Sequence, residues 1–160
     1  MTLRRLLSLT ALVAACWLIG AALTRGQNSR AADAELEALD QKIKQFLQTT
    51  IDDDVHAAFQ ELLAGSPLAR QTEAVTSLEQ KTRELQARYG LCRNVEQVSA
   101  KRVGRDLVLM KYLYNCESFP VVWYFTYYRV YKRGEVPREN SWAVVAVRFD
   151  TDLELLALTE

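Results

Sequence analysis

The hydrophobic spacing of this chain changes once, at Leu91, and that change limits the fold more than any other feature. Before it, apolar residues recur at helical spacing: Leu36, Leu39, Ile43, Phe46 and Leu47, then Val55, Phe59, Leu62 and Leu63, then Leu68, Val75, Leu78, Leu85 and Tyr89. After it, the period falls to two and the composition turns to Val, Tyr, Phe and Trp, the pattern of strands. Helices followed by a run of strands imply an α+β domain rather than an alternating α/β one. The expected architecture is three helices against a four-stranded antiparallel meander.

Local signals place the boundaries. The first helix is expected over residues 32–48. Thr49-Thr50-Ile51-Asp52-Asp53-Asp54 then restarts the chain, because hydroxyls and carboxylates suit the exposed amides of a helix N-terminus. Gly65 closes the short second helix. Ser66-Pro67 opens a third that runs to Arg88 and stops at Gly90. The strands are expected at 94–103, 106–116, 120–132 and 141–149. The polar loop 133–140 precedes the last, and the tail 151–160 is Leu-rich and short.

The N-terminus points to an address. Arg4 and Arg5 precede an uncharged run, Leu6 to Leu23, closed by Arg25. This is the layout of an export signal or a single membrane anchor. Small residues at Gly20-Ala21-Ala22 and Ser29-Arg30-Ala31 would allow cleavage; without it, residues 6–23 hold the protein in the membrane with the domain outside. Val13-Ala14-Ala15-Cys16 resembles a lipoprotein signal, but Trp17-Leu18-Ile19 continues the apolar run where a polar tether should begin. The chain thus divides into a signal or anchor (1–25), a tether (26–32) and one domain (33–160). The expected location is the periplasm or the outer face of the inner membrane. Removing the segment leaves 17 basic and 20 acidic residues, a balance that argues against nucleic acid as a partner.

Cys92 and Cys116 remain in the exported part, and an oxidising compartment favours a bridge between them. If Val103 to Arg105 form the first hairpin turn, Arg102 faces Asp106, and the same register sets Cys92 opposite Cys116. A disulfide is geometrically allowed there.

Nine of the fifteen aromatic side chains lie between Tyr112 and Tyr131. The third strand carries Trp123, Phe125, Tyr127 and Tyr131 on one face and Tyr124 and Tyr128 on the other. An antiparallel sheet packed on helices is ordinarily polar on its outer face, so the second face needs cover from a ligand, a partner subunit or the tail. The candidate ligand or partner face comprises Tyr112, Trp123, Phe125, Tyr127, Arg129 and Arg148. If that face is a pocket, truncating Trp123 or Tyr127 should weaken binding; if it is core, the same changes should lower stability alone.

The helical segments ending in Phe59-Gln-Glu-Leu-Leu-Ala-Gly-Ser-Pro67 and Tyr89-Gly90 are followed by the strand text Phe119-Pro-Val-Val-Trp-Tyr-Phe-Thr-Tyr-Tyr128 and Ser141-Trp-Ala-Val-Val-Ala-Val-Arg-Phe-Asp150. Over about residues 35–150 this resembles the small exported bacterial proteins of the nuclear-transport-factor-2-like (cystatin-like) superfamily. The resemblance implies helices on a curved antiparallel sheet that forms an open cone. That fold hosts isomerases, dehydratases, binding modules and dimerisation domains, so it does not decide the activity. The strand often placed between the second and third helices has no counterpart here, and a full-depth pocket is not implied.

Little catalytic chemistry is legible. His56 is the single histidine and stands beside Asp52, Asp53 and Asp54; a His–Asp pair can exchange protons, but a helix start exposes these groups to water. One His and a short Asp run do not make a metal set, and no phosphate loop is present. No catalytic residue, metal or cofactor is therefore expected. The leading expectation is a non-catalytic binding or dimerisation module, with a homodimer through the sheet as one form. The alternative is a small-molecule enzyme, isomerase- or dehydratase-like, with a Tyr-lined pocket.

Overall fold

The computed structural model describes residues 32–131 and 141–154. Residues 1–25, where an export signal or anchor is expected, nearly all of the expected tether, the loop 133–140 and the end of the tail lie outside the described residues. Within them the chain is α+β, with three α-helices and one four-stranded antiparallel sheet.

The first helix, α1, spans 32–51 and runs past the expected stop at 48. The hydroxyls of Thr49 and Thr50, which look like cap residues in the sequence, donate instead to the carbonyls of Gln45 (2.9 Å) and Leu47 (2.7 Å) and ride within the last turn. Asp53 then takes φ 67° and reverses the chain. The cap of the second helix, α2 (Val55–Leu62), is Asp54, whose carboxylate accepts the Ala57 N–H at 3.1 Å. Ser66-Pro67 starts a single 3₁₀ turn, Pro67–Arg70, and the third helix, α3, begins only at Thr72 and ends at Tyr89. Ser66 explains the break. Its hydroxyl accepts from the Leu68 N–H and donates to the Val144 carbonyl in the sheet, pinning the turn to the last strand before α3 can begin.

The strands are β1 (Cys92–Val103), β2 (Leu107–Cys116), β3 (Val121–Arg129) and β4 (Trp142–Asp150), in the order β1-β2-β3-β4. The first turn is one residue later than the sequence implied: Val103 faces Leu107, and Gly104 takes the left-handed φ of 65°. That register alone would set Cys92 two places out. Two irregularities in β1, between Gln97 and Ser99 and between Cys92 and Asn94, each absorb one residue and bring Cys92 opposite Cys116. The expected pairing holds, but bulges produce it rather than the turn.

Cys92 and Cys116 are joined as a disulfide, with Cα atoms 3.7 Å apart. The bridge closes the open end of the β1–β2 hairpin across a separation of 24 residues. On the chain-entropy model, opening it should cost about 3 kcal/mol of stability. Urea unfolding with and without reductant, repeated on Cys92→Ser/Cys116→Ser, should show that drop in both cases; equal midpoints would mean that the bridge constrains nothing.

Candidate functional site

The pleat gives the sheet two faces with different work. Inward from β2, β3 and β4 point Val108, Met110, Tyr112, Tyr114, Val121, Trp123, Phe125, Tyr127 and Val144, all buried. Phe46 of α1 packs edge-on against Trp123 (5.5 Å between ring centroids), Phe125 (5.7 Å) and Phe59 of α2 (4.9 Å). Trp123 also meets Tyr114, Phe125 and Phe149. Four members of the candidate face, Tyr112, Trp123, Phe125 and Tyr127, are thus brought together as the aromatic core, none more than 2 % exposed.

Polar tips in this core are only partly satisfied. The Tyr112 hydroxyl donates to the Asp40 carboxylate at 2.7 Å, and Lys44 holds the other Asp40 oxygen at 2.7 Å. Burial, and then the Asp40 carboxylate, push the Tyr112 phenol well above its ordinary range. Burial alone raises Tyr127 in the same direction. The Tyr127 hydroxyl and the Trp123 indole N–H make no hydrogen bond.

The two arginines of the candidate face separate. Arg129 lies at the end of β3, 3.6 Å from Asp106 and 4.5 Å above the Trp142 ring, which Arg102 also approaches at 5.4 Å. Arg148 is on the opposite, outer face. Cross-strand rows there follow from the register. The first is Val103, Leu107, Tyr128 and Ala143; the second Lys101, Leu109, Thr126 and Ala146; the third Ser99, Lys111, Tyr124 and Arg148. Val103, Leu109 and Tyr128 are 43 %, 37 % and 44 % exposed. These rows hold three cations and no acid. A groove of about 300 Å³ follows the second and third rows, lined by Leu109, Lys111, Tyr124, Thr126 and Arg148 together with Met110 and Phe125. One row further, Val122 is fully buried, so the exposed part of this face ends at Tyr124.

His56 lies in the first turn of α2, which Asp54 caps, and reaches across to α3. Its Nδ1 lies 3.1 Å from Glu79 of α3, its Nε2 lies 2.9 Å from the Gln60 side chain, and Arg83 reaches the same Glu79 at 3.3 Å. Glu79 is buried and His56 is exposed, so this cluster ties α2 to α3. Sequence spacing could not have found it, because Glu79 sits 23 residues away on another element. Among the described residues, no three His, Cys, Asp or Glu side chains gather as a metal site would require.

The outer rows were legible only in part. Alternation showed that Tyr124 and Tyr128 share a face, but pairing them with Leu107, Leu109 and Arg148 needs the register. No protein-family profile matches this chain, and no curated protein or solved structure is significantly similar to it.

Proposed function

We propose that this chain is a non-catalytic binding module that works outside the cytoplasm and takes an anion with an apolar body on the outer face of its sheet. The observation that carries the reading is the division of labour between the two faces. The inner aromatics are consumed by the core, whereas Val103, Leu109 and Tyr128 stay exposed beside Lys101, Lys111 and Arg148. Large apolar side chains exposed in contiguous rows mark interaction surfaces, and the surrounding cations set the sign of the ligand. The Arg4-Arg5 segment and the oxidised cysteine pair support the location. Helices first and an antiparallel meander after them also fit the nuclear-transport-factor-2-like order.

A homodimer through the same face is the second reading. The exposed rows from Tyr124 to Tyr128, four strands wide, measure about 19 by 14 Å, below the ~800 Å² that each partner buries in a standard interface, so such a dimer would be a weak one. Leu109→Glu and Tyr128→Glu test both readings without any ligand. Both variants should keep their unfolding free energy within about 0.5 kcal/mol of wild type, as free surface positions do. A loss above about 2 kcal/mol would make this face structural and sink the proposal. Sedimentation of wild type against these variants decides the dimer: a wild-type dimer that the variants convert to monomer supports it, and a wild-type monomer at all concentrations removes it.

A further inference from the structure

The two edges of the sheet differ. Along β4 the Ser66 hydroxyl donates to the Val144 carbonyl, and the Pro67–Arg70 turn packs on the same strand. β1, at the other edge, pairs with β2 on one side, and among the described residues no main chain outside the sheet hydrogen-bonds to it. Most of its side chains are exposed, on both faces. An uncovered edge offers its main-chain N–H and C=O groups to another strand.

The irregularity in β1 determines which strand fits. Opposed residues of a ladder share a face. Val95 and Gln97 therefore point inward with Tyr114 and Tyr112, and Glu96 and Ser99 point outward with Leu113 and Lys111. Val98 has no partner in β2; beyond it Ala100 and Arg102 point inward, and Lys101 and Val103 outward. A two-fold axis perpendicular to the sheet keeps outer side chains outer, so identical strands paired about it must oppose residues of one face. In an unbroken strand those residues are an even number apart. The extra residue in β1 makes the count odd. Pairing the run 94–103 with its own copy then opposes Asn94 to Val103, Val95 to Arg102, Glu96 to Lys101 and Gln97 to Ala100, each pair on one face. By symmetry the Glu96–Lys101 pair occurs twice, with opposite charges directly across from each other. Glu96 Oε1 accepts from the side-chain amides of Asn94 (3.1 Å) and Asn115 (2.9 Å), which leaves Oε2 for an incoming ammonium. A bulge ordinarily blunts an edge; this one lies at the axis and brings the two charges onto one face. A strand of unrelated sequence would gain the main-chain bonds without these pairs, so a second copy is the better occupant.

We infer that β1 pairs antiparallel with β1 of a second copy, about an axis between Val98 and Ser99, and joins two four-stranded sheets into one. This dimer leaves Leu109 and Tyr128 uncovered and is distinct from a dimer through the outer face. Sedimentation equilibrium of the full chain in a mild non-ionic detergent tests it. Wild type should form a reversible dimer. Lys101→Glu should weaken that dimer about 30-fold, because two favourable cross-strand pairs become two unfavourable ones. Glu96→Lys should do the same, and Glu96→Lys/Lys101→Glu should restore the wild-type affinity. Leu109→Glu and Tyr128→Glu should leave the dimer intact. Amide exchange over 94–103 should slow as the dimer fills. Wild type that stays monomeric up to about 1 mM overturns the inference. So does a dimer that either charge reversal leaves untouched, that the double reversal fails to restore, that an acid at Leu109 or Tyr128 dissolves, or that forms without slowing exchange in β1.

Discussion

Replacing Trp123 by alanine is expected to cost about 3–5 kcal/mol of folding stability, the range for removing a large buried aromatic side chain. Trp123 is fully buried and meets Phe46, Tyr114, Phe125 and Phe149. No neighbour can fill the space without leaving its own contacts. Domains of this size are stable by only about 5–15 kcal/mol, so the variant should unfold at much lower urea or fail to accumulate. Trp123→Phe separates packing from the indole N–H. That group has no partner, so phenylalanine should recover most of the stability. Wild-type stability in Trp123→Ala would show that the inner face is not the core.

The second large effect is alkaline. Tyr112 and Tyr127 are held protonated beyond the ordinary tyrosine range, by burial in both and by the Asp40 carboxylate beside Tyr112. Above about pH 10 the unfolded chain loses these protons while the folded chain keeps them. The unfolded state then binds fewer protons, so stability falls as pH rises. The contribution is complete below about pH 10 and is lost progressively above it, at about 1.4 kcal/mol per pH unit for each tyrosine. The pair together should remove about 4 kcal/mol by about pH 11.5. Tyr114, also raised by burial, acts in the same direction. Phenolate absorbance followed beside circular dichroism checks this. The buried phenols should ionise only as ellipticity is lost, and Tyr112→Phe should flatten the slope. Ionisation of Tyr112 and Tyr127 within a native spectrum would contradict the account.

The fold class was legible because hydrophobic period is a local property, and it changes once. Helix ends were less legible because one residue type does two jobs. Thr49 and Thr50 suit a cap but bond backward to Gln45 and Leu47. Ser66 does cap, yet its bond to Val144 makes a separate turn of what looked like the start of α3. The cysteine pairing was inferred from a turn one residue early, and two bulges that leave no sequence mark compensated. The candidate face mixed two environments. Alternation placed Trp123, Phe125 and Tyr127 together, but could not say that helices would take that side entirely. Arg148 was grouped with them, although its cross-strand partner is Tyr124 on the other side.

Hydroxyl-radical footprinting of the folded, full-length protein tests the division between the faces most directly. Val103, Leu109 and Tyr128 should be oxidised at rates set by their exposure, while Tyr112, Trp123, Phe125 and Tyr127 stay protected until the protein unfolds. Oxidation of Tyr112, Trp123 or Tyr127 in the native protein as fast as Tyr128 would place an open cavity inside the sheet. It would contradict the assignment of binding to the outer face.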